Sequence, residues 1–237
     1  MCVRMTCFLR PGMIAGLAIA ALMLIGANGP SSHAATSAPP QSSPAAAKKD
    51  PVLTLPDMTL GKKDAPINVI EYASMTCPHC AHFDMDVFPQ LKKNYIDTGK
   101  VYYVFREFPL DGVAFRASMV ARCMDKKHFF PFIDKLFRNQ IAWANPKDWN
   151  DKNKSLEDKM TPLAKMAKQE SGMTRAEFDK CVNDKSMQQQ IALQAARGDQ
   201  VFKVPGTPAV YIDGKLLVNF QSYESVDEEL QKALKQK

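Results

Sequence analysis

The chain carries little with which to span a membrane or hold a nucleic acid. Its apolar stretch from Met13 to Ala27, "MIAGLAIAALMLIGA", is shorter than the roughly 20 residues that cross a bilayer comfortably as a helix. No long basic stripe is present: lysines are scattered among acidic residues, and a formal charge of +6 gives nucleic-acid binding little support. Cysteine is scarce, with six in 237 residues. Glycine and proline, 11 and 16 residues, take an ordinary share, so most of the chain reads as globular rather than disordered. With 46% hydrophobic residues, it can bury a sizeable core as one domain, or as one domain carrying a large insert.

The N-terminus stands apart from that globule. Arg4 and Arg10 precede the apolar run, and Ser32, His33 and Ala34 follow it, the pattern of a secretory signal peptide (residues 1–34) cut after Ala34. An uncleaved anchor is the alternative. Cys2 and Cys7 leave with the peptide, so an exported chain keeps Cys77, Cys80, Cys123 and Cys181. Residues 35–50, "ATSAPPQSSPAAAKKD", are small residues, prolines and serines ending in charges; they cannot form a core and read as a linker.

Further on, "INVIEYAS" (67–74) reads as a strand, preceded by a turn. Phe83, Val87, Leu91 and Tyr95 then recur every fourth position, the spacing of an amphipathic helix that Pro89 could kink. A second strand is expected over residues 100–110, and Val52 to Leu55 could add an edge strand. Residues 112–197 read as four helices separated by a polar loop at 145–154, the fourth running from a Thr174/Glu177 cap to Arg197. Strand character returns over 208–220, where Asp213 and Gly214 signal a tight hairpin. A last helix covers about 223–235. Strands that must pair in one sheet are thus split by a helical block, which predicts an α/β module (51–111 and 198–237) interrupted by an all-helical insert (112–197).

Chemistry concentrates in "YASMTCPHCAHF" (72–83). Cys77 follows a strand and opens a helix, where unpaired backbone N–H groups and the positive end of the helix dipole favour a thiolate. Pro78 suits the first helical turn, and His79 adds a group able to stabilise the anion. Cys77 is therefore the expected nucleophile, and Cys80, one turn on and less exposed, the resolving thiol. Other readings exist. Haem attachment requires histidine directly after the second cysteine, where Ala81 stands. Structural zinc needs two more ligands, and His82, Cys123 and Cys181 lack the close spacing of a second knuckle. A purely structural 77–80 bridge closes too small a loop to stabilise much. Cys123 and Cys181 lie in predicted insert helices and are expected to pair if those helices pack, with two free core thiols as the alternative. Pro208, directly before a strand-like run, sits where a cis bond is plausible.

"CPHC" opening the first long helix, the helical interruption, and "GTPAVYIDG" (206–214) beyond it together resemble the thioredoxin superfamily, and within it the DsbA-like thiol:disulfide oxidoreductases of bacterial envelopes. The resemblance covers about residues 51–237. It implies a thioredoxin fold with an inserted helical domain, and a cis Pro208 whose loop lies against the dithiol. It gives Thr207 a role in presenting backbone to an extended substrate. It also makes Glu71, six residues before the nucleophile, a candidate proton relay for the buried cysteine; strand alternation alone would equally allow a solvent-facing glutamate.

The implied function is a periplasmic oxidase, expected to be monomeric, that hands its Cys77–Cys80 disulfide to cysteines of newly exported proteins. A DsbB-like quinone reductase would reoxidise it, and neither a metal nor an organic cofactor is required. Thr207 departs from the valine typical of the best-known oxidases and is seen in the isomerase branch. An isomerase or reductase, or an envelope binding protein with an idle dithiol, therefore remains as an alternative.

Overall fold

Two strands rich in β-branched and aromatic residues form the centre of the sheet. In the computed structural model, which describes residues 52–237, β2 (Ile67–Ala73) and β3 (Val101–Glu107) pair in parallel, from Ile67 opposite Val101 to Ala73 opposite Glu107. The expected signal peptide and linker lie outside the described residues. β1 (Met58–Leu60) and β4 (Ala209–Ile212) add antiparallel to β3 and β2, and β5 (Lys215–Leu216) closes the order β1-β3-β2-β4-β5. Asp213 and Gly214 both hold positive φ, 47° and 81°, as a tight hairpin turn requires.

The edge strand is not Val52–Leu55. That segment is taken up by one side chain: Gln190 accepts from the amides of Thr54 and Leu55 (2.6 and 3.1 Å) and donates to the Val52 carbonyl (3.1 Å). The chain reaches the sheet only after Pro56.

A parallel pair needs a crossover, supplied by residues 78–96. Its turns alternate between α-helix (α1, Pro78–His82; α2, Phe88–Leu91) and wider π-helical turns (Phe83–Val87 and Lys92–Ile96). Proline at 89 cannot donate to the carbonyl four residues back. The helix absorbs this by widening just before it, where the Phe88 N–H reaches the Phe83 carbonyl, five residues away. Phe83, Val87, Leu91 and Tyr95 all remain in the core.

Seven helices, rather than four, separate β3 from β4: α3 (Gly112–Arg122), α4 (Lys126–Arg138), α5 (Gln140–Trp143), α6 (Pro146–Asn150), α7 (Leu156–Ser171), α8 (Arg175–Val182) and α9 (Lys185–Arg197). Local capping makes two of the three extra helices, and the third, α5, arises because the expected second helix breaks at Asn139, which leaves helical geometry at φ −122° and ψ 26°. Asn145 accepts from the Lys147 amide and starts α6 inside the expected loop, while Asp184 accepts from the Met187 amide and divides the long fourth helix in two. Thr174 and Glu177 do form a capping box on α8. The last helix is α10 (Tyr223–Leu234). Among the described residues, no helix is long and apolar enough to cross a membrane.

The helical region shares one apolar cluster with the sheet. Phe129 of α4 meets Phe105 of β3 edge-on, ring centres 5.8 Å apart. Beside it, the buried pair Glu107–Arg122 links β3 to α3, and Gln194 of α9 donates to Glu107 at 2.6 Å. Cys123, the residue that ends α3, is joined to Cys181 of α8, with Cα atoms 6.2 Å apart. This bridge spans 58 residues. Replacing both cysteines by alanine is expected to cost about 2 to 4 kcal/mol by loop-closure entropy, read from urea melts. Coincident melts of variant and parent under oxidising conditions would show that the bridge adds no stability.

Candidate active site

The dithiol sits where β2 runs into α1. Its approach is tied down residue by residue: the Cys77 amide donates to the Ser74 carbonyl (3.0 Å), the Leu110 amide to Ser74 Oγ (3.2 Å), and Thr76 Oγ1 to Asp111 Oδ2 (2.6 Å). The other oxygen of Asp111 caps α3 through the Val113 and Ala114 amides. Gln140, at the start of α5, donates from Nε2 to the carbonyls of both Met75 and Cys77, each at 2.9 Å. Asp111 and Gln140 thus hold the turn from the helical side.

Cys77 is the residue before the helix, in extended conformation (φ −77°, ψ 121°) with Pro78 in the first turn. It is 6% exposed and Cys80 is 0% exposed; both are free thiols, so the pair is in its reduced form. Their proton affinities are pushed in opposite directions. The Cys80 thiol, donating to the Cys77 sulfur, is the largest influence in bringing Cys77 down to about 5. Burial opposes this, and Thr207 and the amides of Cys80 and His79 add to it. Cys80 is raised far above the usual thiol range, first by burial, then by its bond to Cys77 and the nearby charges of Glu71 and Cys77. His79 contributes to the thiolate through its main-chain N–H, while its side chain is exposed.

Across from the dithiol, the Thr207–Pro208 peptide bond is cis. As a thiol, Cys77 donates to the Thr207 carbonyl at 3.2 Å. Thr207 Oγ1 is buried with no hydrogen-bond partner among the described residues, so its hydroxyl is the donor that Thr207 can turn to the anion once that proton is gone.

Beneath lies Glu71, 2% exposed. It accepts a hydrogen bond from Tyr103 of β3. Burial raises its carboxyl to about 8 against the effect of the Tyr103 bond, and the charges of Asp84 and Cys77 push the same way. Asp84 is itself raised to about 7, by burial and then by Asp134, with Arg138 opposing. The structure therefore brings Glu71, Cys77, Pro78, His79, Cys80, Thr207 and Pro208 to one place, and keeps Cys123 and Cys181 apart from it in their own bridge.

Sequence reasoning missed Thr76, Asp111, Tyr103, Asp84 and Gln140. Only Asp111 carried a signal, as an acidic residue directly before a predicted helix. His82, left without a task, has one: Nδ1 pairs with Asp86 at 2.6 Å and Nε2 meets the Gln221 carbonyl at 2.9 Å, tying α1 to the loop before α10.

A dithiol at a helix start, facing a cis-proline loop, in a sheet interrupted by helices, matches known proteins along most of the chain. The family model described as thioredoxin matches residues 53–235. Disulfide bond formation protein D of Bacillus subtilis is 30% identical over 188 residues, covering 75% of this chain and 77% of that protein. The chain belongs to the DsbA-like thioredoxin-fold thiol:disulfide oxidoreductases. Crystalline alpha-DsbA1 of Wolbachia pipientis superposes on this DsbA-like chain with a TM-score of 0.67 at 29% identity, over 78% of this chain and 94% of that one. A Rickettsia bellii protein whose name proposes protein-disulfide oxidoreductase activity is 34% identical over 181 residues, 76% of this chain. The chain spans just under two thirds, 65%, of that relative's length. The DsbA-like architecture of a thioredoxin core with an inserted helical region is the one observed here.

Proposed function

We propose that the chain is an envelope thiol:disulfide oxidoreductase that donates its Cys77–Cys80 disulfide to cysteines of exported proteins. The observation that carries this reading is the opposed shift of the two thiols, with Cys77 lowered to about 5 beside a fully buried Cys80. A stabilised thiolate favours the reduced pair, which makes the corresponding disulfide oxidising. A substrate thiolate attacks Cys77 Sγ, the 77–80 bond breaks, and Cys80 leaves and takes up a proton. A second substrate thiolate then attacks the substrate sulfur of the mixed disulfide and expels Cys77 as thiolate. The substrate loses two electrons and the enzyme gains them; a DsbB-like quinone reductase would remove them again. The signal-like pattern of the N-terminal sequence and the family support a location in the periplasm or envelope.

Thr207 before Pro208 favours an isomerase as the second reading, for the reason given from sequence. Equilibration of the pair with glutathione tests direction: a potential near about −120 mV supports the oxidase, and one near about −270 mV overturns it in favour of a reductant. Refolding of a scrambled disulfide substrate, faster than uncatalysed exchange, would favour the isomerase.

A further inference from the structure

We propose that Gln140 is a positioning residue for the redox pair, a two-pronged donor through which the helical region holds the backbone of the nucleophile in its reactive conformation. The proposal rests on the reading of Cys77–Cys80 as the reacting dithiol. Residues 74–77 lie between β2 and α1, so the Met75 carbonyl falls outside the strand ladder and needs a partner from elsewhere. The Cys77 carbonyl receives the Ala81 amide at 3.1 Å. Gln140 Nε2 supplies one hydrogen to that same carbonyl and the other to Met75, two residues earlier. A carboxamide has two such hydrogens, and both are used.

The mount is rigid. Trp143, one turn along α5, is 1% exposed and donates from Nε1 to the Leu136 carbonyl at 2.8 Å. On the other side, Thr76 is held by Asp111. Three consecutive residues of the turn are therefore fixed from the helical region, Met75 and Cys77 through their carbonyls and Thr76 through its side chain.

The consequence falls on Cys77 sulfur. Its anion is stabilised by donors that follow it in the chain, among them the amides of His79 and Cys80, and these converge only while the Cys77 backbone keeps its extended conformation before the helix. Gln140 also places the positive end of its amide dipole beside Cys77 and offsets the carbonyl there. Removing it loosens the turn and withdraws a favourable dipole, and both effects disfavour the thiolate.

The test uses the full chain with Gln140→Met, which keeps length and removes both donors, and Gln140→Glu, which is nearly isosteric and turns the donor into an acceptor. Thiolate absorbance of the reduced protein is followed against pH, alongside equilibration with glutathione. The Cys77 midpoint is expected to rise by roughly half a pH unit in Gln140→Met and by roughly one in Gln140→Glu. The glutathione equilibrium should move about threefold and about tenfold, respectively, toward the disulfide form. A lowered melting temperature with both readouts unchanged would reduce Gln140 to a structural brace and overturn the proposal. Where Gln140→Met does not fold, Gln140→Glu decides by the same readouts. The functional reading fails separately: an unsubstituted chain that cannot oxidise a reduced peptide, yet whose Cys77 titration responds to Gln140, sinks that reading alone.

Discussion

Replacing Cys77 by alanine is expected to abolish oxidation of a reduced dithiol peptide, a loss of about a thousandfold or more, because the atom that is attacked and later expelled is gone. Cys80 cannot substitute for it. It is fully buried, and its proton is held far more tightly than that of an ordinary thiol, so it is neither reachable nor nucleophilic at neutral pH. Cys80→Ala should behave differently: its Cys77 thiolate attacks a disulfide-bonded peptide, expels one peptide sulfur as thiolate and holds the mixed disulfide, visible as a trapped adduct on a non-reducing gel. Activity retained by Cys77→Ala would sink the assignment.

The same variant should also lose a pH dependence. Cys77 falls from 9.0 to about 5 on folding, so its contribution to the stability of the reduced protein is fully present above about pH 9. It fades as pH falls toward 5 and is gone below. The difference in denaturant stability between the reduced parent and Cys77→Ala should follow that slope, since the opposite slopes of Glu71 and Asp84 are carried by both proteins.

The nucleophile was legible in the sequence because its chemistry is local. Strand, cysteine, proline and helix follow one another within a few residues, and the largest influence on the thiolate, the Cys80 thiol, sits one turn on, with the amides of His79 and Cys80 adding to it. Glu71 was legible only through resemblance. Ile67, Val69, Glu71 and Ala73 alternate onto one face of β2, which would mark Glu71 as inward if that face were known to be the covered one. Tyr72 on the other face is equally buried, because β2 is central and covered on both sides, and alternation carries no such information there. Gln140 was out of reach for another reason, and so was the bond from Thr76 to Asp111, a residue whose only signal was its place before a predicted helix. The partners of Gln140 and Asp111 are 63 to 65 and 35 residues away in the chain, and nothing about a glutamine in "RNQIAW" announces two carbonyl acceptors in the turn before α1. Two of the three extra helices came from caps at Asn145 and Asp184, short-range signals hidden inside stretches whose composition reads as loop or as one continuous helix, and the third from a break at Asn139.

Glu71→Gln is expected to slow the release of Cys80 by about a hundredfold at pH 7, the scale of a positioned proton donor. At that pH a carboxyl raised to about 8 is mostly protonated, and so can give its proton to the sulfur that leaves Cys77; the glutamine keeps the shape and has no such proton to give. The informative quantity is the ratio of parent to variant rates, in which ionisation of the substrate thiol cancels. It should be large below pH 7, fall as Glu71 ionises through about 8, and drop below one at higher pH, where the parent's buried carboxylate repels the departing thiolate. Stability moves with the same sign. A carboxyl raised on folding contributes stability that is fully present below pH 4.5 and lost as pH climbs through 8, so Glu71→Gln should gain on the parent above pH 8, by up to about 5 kcal/mol. A rate ratio that stays constant with pH would exclude Glu71 as the donor. The other carboxyl close enough to influence it is the partly buried Asp84, raised to about 7 by burial and by Asp134, and Asp84→Asn would have to remove the dependence that Glu71→Gln left in place.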